Sequence, residues 1–476
     1  MKSDHELYVS PFSTRYTSPE MSRLFSAQYK ATLFRKLWVE LAKAEKQVGL
    51  PISDEQITQM ESNIAHIDFA KIDEFEKKFR HDIMAHIHAF GEMAPLAKPI
   101  IHLGATSSYV TDNGDLIQLK EAMTLLFEKI LKIMDLLANL AEKHAEDPTL
   151  SFTHFQPAQP TTIGKRICMW LQDFYLDAKE FKRLIDELPF LGVKGATGTQ
   201  SSFLSLLNGD HHKVVKLEKQ IASAFGFADI LPIAGQTYTR KLDIHVLNAI
   251  ESFAASAHKF ATDFRLLAHE EEFSEPFTSA QVGSSAMPYK RNPIYSERIC
   301  GLARFAISLA QNPAYTTATQ WLERSLDDSS NKRLAVPESF LSADAILNLM
   351  SYILSNPEIR PETALTAFER NLPALTMENI LMESVKRGAN RQDMHEKLKK
   401  IAFQAMKEEN TFESLSQTIE KDKDFHLNKS DIQAIGNPKA LIGRAPEQVQ
   451  EFLSIVIRPY LKQHPIGNTP VSTIER

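Results

Sequence analysis

Cysteine is nearly absent from this sequence, since only Cys168 and Cys300 occur among 476 residues. Neither belongs to a Cys-x-x-Cys pair or stands beside a histidine cluster, which excludes a disulfide scaffold and a structural zinc site. No apolar run approaches the roughly 18 residues of a membrane span. The first six residues also lack the apolar segment of a signal peptide. We therefore expect a soluble, cytoplasmic protein in a reducing compartment, with no membrane partner.

The sequence also lacks a strong surplus of one charge. Sixty acidic residues stand against 54 basic ones, for a formal net charge of -6, which argues against a nucleic-acid partner. The hydrophobic content is 43% and the charged content is 24%, which is enough to bury a large core divided among two or three domains. An anionic ligand would need local positive charge, which is concentrated between Lys290 and Arg304.

One long helix is the clearest feature that the sequence does contain. From Asp115 to Glu146 the apolar residues recur at alternating spacings of three and four, the seam of a coiled-coil-like helix. Ile117, Phe127, Leu131 and Met134 lie outside this seam. The helix is therefore expected to be buried on more than one side.

Similar periodicity predicts helices along most of the chain, whereas no alternating strand pattern with hairpin turns stands out. We predict helices at Met21 to Val48, Ser53 to Ile64, Phe69 to Phe90, Ile163 to Asp186, Lys241 to Glu271, Ile294 to Ala310 and Ala335 to Leu354. The prediction is an all-α protein with an N-terminal helical domain (1–106), a central helix bundle (107–357) and a C-terminal helical domain (358–476). Its excess apolar surface predicts a homo-oligomer.

The stretch Gly283-Ser284-Ser285-Ala286-Met287-Pro288-Tyr289-Lys290-Arg291-Asn292-Pro293 has the residue types of a catalytic loop. Gly283 frees the backbone, Ser284 offers a hydroxyl and an N–H group, and Lys290 with Asn292 can hold a developing anion. Taken alone, a loop rich in serine and glycine is more often a helix cap than a catalyst. Its interpretation therefore depends on the rest of the chain.

This stretch, which we call the signature loop, matches the Gly-Ser-Ser-x-Met-Pro-x-Lys-x-Asn signature of the fumarase/aspartase superfamily. Together with the following Ser296-Glu297-Arg298 it resembles the adenylosuccinate lyase family, and the resemblance extends from Ser13-Thr14-Arg15-Tyr16 to the C-terminal region. It implies a homotetramer with sites shared between chains. It also implies β-elimination of fumarate from adenylosuccinate, giving AMP, and from the succinylated imidazole carboxamide ribotide of purine synthesis (SAICAR), giving AICAR, without a cofactor or metal.

The resemblance further implies roles for individual residues. Ser284 would be the general base and His154, in the proline-rich turn Thr153 to Pro160, the general acid. His81, Lys290 and Glu297 would support them, with Glu297 pairing with His154. The substrate contacts would be Arg15, Tyr16, Arg80, His81, Asp82, Thr106, Ser107, Gln236, Asn292, Arg298, Arg324, Ser329 and Arg333.

Two other interpretations of these motifs are weaker. His81, His86 and His88 could suggest a metal site, but their spacings scatter them around a helix and no His-Glu-x-x-His pattern completes a ligand set. The glycine-rich segment from Gly192 to Thr199 lacks the spacing of a phosphate-binding P-loop. We expect it to be a turn that lines the site.

Two alternative functions stay open at the level of the sequence. Another lyase of the superfamily is one, above all argininosuccinate lyase, with aspartase and fumarase behind it. The other is a catalytically inactive structural oligomer, because a scaffold requires only the bundle. The Arg-His-Asp segment at Arg80 and the intact His154, Ser284 and Lys290 argue against these alternatives.

Overall fold

The structure is a computed structural model that describes residues 7–277, 286–287, 289–405 and 411–467. The chain begins with a single π-helical turn (Phe12–Tyr16) and the helices α1 (Pro19–Leu24), α2 (Ala27–Gln47), α3 (Asp54–Ser62), α4 (Phe69–Phe79) and α5 (Asp82–Met93). Ser18, Ser26 and Ser53 start α1, α2 and α3 by accepting a backbone N–H three residues ahead, a favourable N-cap arrangement. Trp38 of α2 stacks on Phe90 of α5 and joins this module to the main core.

The helix predicted from Phe69 to Phe90 is in fact two helices. Arg80 ends α4 with a φ of 53°, and the side chain of His81 caps the start of α5. A left-handed conformation costs a residue with a Cβ atom roughly 1–2 kcal/mol. The apolar periodicity continues through the break, so the sequence pattern does not signal it.

The central part of the chain forms the bundle and its connections. These elements are α6 (Ser107–Lys143), β1 (Pro148–Thr153), β2 (Gln156–Thr162), α7 (Ile163–Glu187), α8 (Ser201–Leu206), α9 (His211–Ala224), α10 (Lys241–His269), β3 (Phe273–Ser274), α11 (Ile294–Leu309), α12 (Asn312–Thr319) and α13 (Asp327–Ser355). Helix α6 packs along α7 and α13, and α10 packs along α7, α11 and α13. Aromatic rings fill the space between α7 and α10, where Trp170 and Phe174 contact Phe260.

Helix α6 is buried on more than one side, as predicted. Ile117, Phe127, Leu131 and Met134, outside its seam, are all buried within the single chain. His464 near the C-terminus packs edge-on against Phe127 at 5.6 Å between ring centroids. These four residues therefore need no second chain to cover them, and they do not carry the argument for an oligomer.

The remaining helices follow a short strand, β4 (Glu358–Ile359), which pairs antiparallel with β3. They are α14 (Pro361–Lys386), α15 (Arg391–Ala405), α16 (Phe412–Lys421), α17 (Lys429–Ile435), α18 (Pro438–Leu441), α19 (Ala445–Phe452) and α20 (Arg458–Gln463), with a 3₁₀ turn (Lys423–Phe425) and a π-helical turn (Leu453–Ile457). Ile380, Leu415 and Phe425 belong to a separate small core in this part. The all-α class is confirmed.

The antiparallel hairpin of β1 and β2 was not predicted. Its two-residue turn consists of His154 and Phe155, with φ values of 54° and 57°. Hairpin turns with two positive φ values favour Asn-Gly or Asp-Gly, and prolines such as Pro157 and Pro160 argue against a strand. The usual sequence signals for a hairpin are therefore missing here.

Candidate active site

Several predicted substrate contacts gather where α13 begins. Arg333, in the second turn of α13, lies with Nη2 3.6 Å from Oδ2 of Asp82 at the start of α5. Both residues line a cavity of about 430 Å³ between α2, α5, α6 and α13, a volume in the range of small-molecule sites. The structure thus brings together two predicted contacts that are far apart in the sequence.

The inner wall of this cavity carries a buried ion pair. Nζ of Lys332 lies 2.7 Å from Oδ2 of Asp115 and donates a hydrogen bond of 3.1 Å to the Tyr238 hydroxyl. Burial raises the pKa of the Asp115 carboxyl, but the nearby cations Lys332, Lys30 and Arg240 together hold that pKa well below its usual range. Burial lowers the pKa of Lys332, but its acidic neighbours, Asp115 first and then Asp112 and Asp243, raise it overall. Both groups are therefore charged at neutral pH.

The Arg80-His81-Asp82 segment lies at the break between α4 and α5, beside this cavity. Nδ1 of His81 accepts a hydrogen bond of 3.3 Å from the Met84 backbone nitrogen and lies 3.6 Å from Oδ1 of Asp82. Since Nδ1 is the acceptor, a neutral His81 carries its proton on Nε2. The exposed Arg80 side chain adds positive charge at the same turn.

Thr106 and Ser107 begin α6, and both are half-buried. The Thr106 side chain makes no capping hydrogen bond. The first-turn N–H groups and the helix dipole of α6 favour a negative charge at this end. Just before this turn, Nδ1 of His102 accepts a hydrogen bond of 2.9 Å from Trp38 Nε1. Burial lowers the pKa of His102 to about 4, so this imidazole is neutral at physiological pH.

Gln236 connects the glycine-rich segment at Ala196 to the turn at Glu323 that precedes α13. Its Nε2 donates to the Ala196 carbonyl at 3.1 Å and its backbone nitrogen to the Glu323 carbonyl at 3.1 Å. Gly198 has a φ of +83°, and a Cβ atom there would lie 1.9 Å from the Ala234 carbonyl oxygen. Glycine is therefore required where the glycine-rich segment packs against the segment that carries Gln236.

Arg324 lies just before α13, and Ser329 lies in the first turn of this helix. Nη1 of Arg324 lies 3.4 Å from Oδ2 of the buried Asp328. Ser329 is half-buried, and its backbone nitrogen donates to the Leu326 carbonyl at 3.1 Å. Arg324 in the turn before α13 thus lies close in the chain to Ser329 and Arg333 in its first two turns.

A second group of predicted contacts lies on α11 and the N-terminal arm. The Arg298 guanidinium lies over the Tyr16 ring at 5.6 Å and over the Tyr295 ring at 5.8 Å, distances at which cation–π attraction operates. Arg15 is exposed beside Tyr16. The structure thus brings Tyr16 and Arg298, two predicted substrate contacts, next to each other.

The signature loop is described only in part. Its Gly283, Ser285, Pro288 and the predicted base Ser284 lie outside the described residues. The Lys290 side chain is exposed, and its backbone nitrogen donates to the Met287 carbonyl at 3.0 Å. Asn292 is half-buried just before α11. The two predicted anion-holding side chains therefore precede the helix that carries Glu297 and Arg298.

His154 occupies the tip of the β1–β2 hairpin, where it is exposed. The hairpin packs against α7 and α14, and Gln159 on β2 hydrogen bonds to Glu378 on α14. Glu297 lies 4.0 Å from Arg265. Within the described part of one chain, the structure does not bring His154 into contact with Glu297 or with the cluster at Arg333.

Several charged residues that support the site were not singled out in the sequence. They are Asp112, Asp115, Arg240, Asp328 and Lys332, which are buried or nearly so, and which connect α6, α10 and α13. A usable signal exists in Asp112 and Asp115, because acids three residues apart share one helix face. The helix is predicted to be buried on more than one side, and charged side chains are seldom buried without partners.

Among the residues that the structure describes, no group of three or more His, Cys, Asp or Glu side chains could hold a metal ion. No described helix is both long and apolar enough to cross a membrane.

Known lyases match this chain along most of its length. A family described as lyase matches residues 16–307, and one described as the adenylosuccinate lyase C-terminus matches residues 373–452. The chain is 44% identical to the adenylosuccinate lyase of Schizosaccharomyces pombe, over 95% of each chain. It is 43% identical to that of Saccharomyces cerevisiae, over 94% of this chain and 95% of the relative.

Solved structures share the fold at lower sequence identity. The 3-carboxy-cis,cis-muconate lactonizing enzyme from Pseudomonas putida superposes with a TM-score of 0.82 at 22% identity, covering 93% of this chain and 98% of that one. A fumarate lyase from Mesorhizobium gives 0.80 at 20% identity, covering 94% and 99%. Fold, motifs and full-length similarity agree: the chain belongs to the adenylosuccinate lyase family of the fumarase/aspartase superfamily.

Proposed function

We propose that this protein is a carbon–nitrogen lyase that eliminates fumarate from adenylosuccinate, giving AMP, and from SAICAR, giving AICAR. The observation that carries this proposal is the family match along nearly the whole chain, including the C-terminal segment specific to adenylosuccinate lyases. The gathered cationic side chains suit a substrate with a phosphate and two carboxylates. The elimination needs neither a cofactor nor a metal.

The first chemical step sets what the signature loop must do. Removing a proton from the carbon beside a carboxylate creates an aci-carboxylate dianion, which needs fixed hydrogen-bond donors and positive charge. We assign this task to Lys290, Asn292 and the N–H groups of the loop. Ser284 is the proposed base, because neighbouring N–H groups can stabilise its alkoxide once water is excluded.

The second step is protonation of the leaving nitrogen, which we assign to His154. Histidine suits this role because its pKa lies near neutrality. Glu297 is proposed to pair with the imidazole and fix its tautomer, and His81 to support catalysis. Within one chain Glu297 lies 4.0 Å from Arg265, and in this proposal the His154 that pairs with it comes from another chain.

Substrate anions are assigned to two groups of side chains. The first comprises Arg324, Ser329 and Arg333, with the segments at Arg80 and Thr106 nearby. The second comprises Arg15, Tyr16 and Arg298. The short distances within each group, 3.6 Å between Arg333 and Asp82 and 5.6 Å between Arg298 and Tyr16, support their assignment as preformed parts of a site.

The length of α6 supports a site shared between chains. Its 37 residues span about 55 Å at ~1.5 Å per residue. The hairpin base stays near the far end of α6, because Gly164 donates to the His144 carbonyl at 2.8 Å. A six-residue strand returns at most about 20 Å. His154 therefore stays on the order of 20 Å or more from Thr106 of the same chain.

An exposed apolar patch beside Arg324 supports the same conclusion. Trp321, Leu322 and Leu326 are 74%, 96% and 72% exposed, and such a patch favours burial against another protein surface. A second chain that covers this patch would bring its own residues to Arg324.

We propose a cytoplasmic homotetramer, in which the segments 1–106, 107–357 and 358–476 are the three domains of each chain.

A substrate panel tests this function. Purified protein would be assayed by absorbance with adenylosuccinate, SAICAR and argininosuccinate, and the oligomeric state would be measured on the same sample. We expect turnover of both purine substrates and none of argininosuccinate. Turnover of argininosuccinate alone would instead identify the rival lyase. A folded tetramer that is inactive toward all three would support the structural-oligomer alternative.

A further inference from the structure

The carboxylate of Asp328 links a predicted substrate contact to the protein interior. Its Oδ2 accepts a hydrogen bond of 2.7 Å from Nε of Arg240 and lies 2.6 Å from Nη2 of the same guanidinium. The same oxygen lies 3.4 Å from Nη1 of Arg324. The Asp328 side chain is 1% exposed, whereas that of Arg324 is 26% exposed. Asp328 thus stands between a buried arginine and a solvent-accessible one.

Arg240 is itself fixed from a second side. Its Nη1 donates to Oδ2 of Asp112 on α6 at 3.0 Å, and its Nη2 lies 3.4 Å from Oδ1 of the same residue. The Tyr238 ring lies 4.4 Å from the guanidinium carbon, and the Tyr238 backbone nitrogen donates to Asp112. Burial lowers the pKa of Arg240, but its acidic neighbours, Asp112 first, raise it overall. The guanidinium is therefore a permanent cation.

The Arg240 guanidinium is shared between Asp112 and Asp328, so the Asp328 carboxylate keeps negative charge that attracts the Arg324 guanidinium. The Arg324 side chain is still 26% exposed, so part of it can be reached by a substrate anion. A flexible arginine loses rotamer entropy when it is fixed. An arginine that is held before binding therefore binds an anion more tightly than one that must be ordered.

We propose that Asp328, held by the buried Arg240, is a positioning residue that orients the Arg324 guanidinium toward a substrate anion. This rests on the proposed function, in which Arg324 binds the substrate. Asp328 does not touch the substrate in this proposal. It acts through Arg324, so its loss affects substrate affinity more than the chemical step.

The same pair of helices provides a matched control. Asp344 lies further along α13 and pairs with Lys129 of α6, and both are buried. Asp344 also accepts hydrogen bonds from the backbone nitrogen and hydroxyl of Ser18. No predicted site residue contacts this pair among the described residues. Asp344→Asn therefore removes a buried carboxylate between the same helices without touching the site.

The test compares Asp328→Asn with Asp344→Asn in the assembled, full-length enzyme. We expect Asp328→Asn to raise KM for adenylosuccinate about tenfold or more, as lost charged hydrogen bonds do, while kcat changes less than about threefold. Asp344→Asn should lower the melting temperature and leave KM unchanged. In an Arg324→Ala background, Asp328→Asn should raise KM no further, because its target is gone.

A second variant keeps the proposal testable if Asp328→Asn does not fold. Arg240→Lys retains a cation beside Asp328 but lacks the planar fork whose separate nitrogens bond Asp328 and Asp112, so it should raise KM in the same direction by a smaller factor. An unchanged KM in the folded, active variants would overturn the positioning role. A wild-type enzyme without lyase turnover would overturn the proposed function instead.

Discussion

Glu275 holds the first turn of α11 through Ser296: its Oε1 lies 2.6 Å from the Ser296 backbone nitrogen and 2.7 Å from the Ser296 hydroxyl. Its Oε2 accepts a further hydrogen bond of 3.0 Å from the Tyr295 backbone nitrogen. One buried carboxylate thus binds the start of the helix that carries Glu297 and Arg298. The chain between Glu275 and Tyr295, which contains the signature loop, is closed at its base.

Glu275→Gln should weaken this attachment, because an amide NH₂ would face a backbone N–H where a carboxylate oxygen now accepts. We expect a loss of about 1–3 kcal/mol in unfolding free energy and a lower kcat. Ser296→Ala is the matched control, since it keeps both backbone hydrogen bonds and should lose less of each. Thermal melting and steady-state kinetics measure both. Equal behaviour of Glu275→Gln and wild type would show that Glu275 does not set this turn.

Phe155 tests whether the hairpin turn positions His154. Phe155→Gly and Phe155→Ala both remove the ring that packs near Phe152 at 5.7 Å, but only glycine tolerates the φ of 57° without strain. We expect the glycine variant to be about 1 kcal/mol more stable than the alanine variant. Its kcat should nevertheless be lower, because glycine widens the range of positions open to His154. If Phe155→Gly is more stable than Phe155→Ala but has the same kcat, the turn conformation does not position His154 for catalysis.

Glu45 should make the stability of the protein depend on pH. Burial raises the pKa of its carboxyl from 4.5 to about 9, and both oxygens are buried without a hydrogen-bond partner among the described residues. Between these two pH values the unfolded chain releases the proton and the folded chain keeps it. The contribution of Glu45 to the free energy of unfolding is therefore most favourable below pH 4.5. That contribution decreases as the pH rises from 4.5 toward 9.

Replacing Glu45 with glutamine removes this ionisation. Near pH 7 the neutral variant should be more stable by about 3 kcal/mol, from ~1.4 kcal/mol for each pH unit above 4.5. At pH 4 the two proteins should melt at nearly the same temperature, which provides the internal control. Melting curves between pH 4 and 9 measure this difference. Parallel curves over the whole range would show that Glu45 is not buried as a neutral acid.

Sharing of the site between chains can be tested by complementation. His81→Ala and His154→Ala should each be inactive alone, because each removes a proposed site residue. If the two residues reach one site from different chains, mixed and reassembled oligomers at equal ratio regain activity in about one site in four. Verified hybrid oligomers that stay as inactive as their parents would reject the shared-site proposal.

The sequence predicted the fold class and the main helices because helical periodicity is a local property. The seam from Asp115 to Glu146 predicts most of α6, and the patterns at Ile163, Lys241 and Ile294 place three more bundle helices to within a few residues. The signature loop and the Arg80-His81-Asp82 segment indicated the family. Such short motifs are informative because the chemistry of a site needs those residue types directly.

The sequence could not predict the hairpin that carries His154 or the break at Arg80. Both depend on residues with a Cβ atom at positive φ, a conformation that local preferences disfavour. Such conformations persist only where the surrounding structure fixes them. The packing of the hairpin against α7 and α14 is a contact of this kind, and it arises only in the folded chain.

The pairing of charges was likewise decided by the tertiary structure. Arg240 hydrogen bonds to Asp328, which lies 88 residues further along the chain, and to Asp112, which lies 128 residues before it. Asp82 and Arg333 form an ion pair between α5 and α13. Composition and periodicity give the residue types but not their partners. The partner of a buried charged side chain depends on which helices pack against its own helix. The sequence by itself therefore determined the helices, the family and the chemical groups available. The packing of α6, α10 and α13 decided which of those groups face each other.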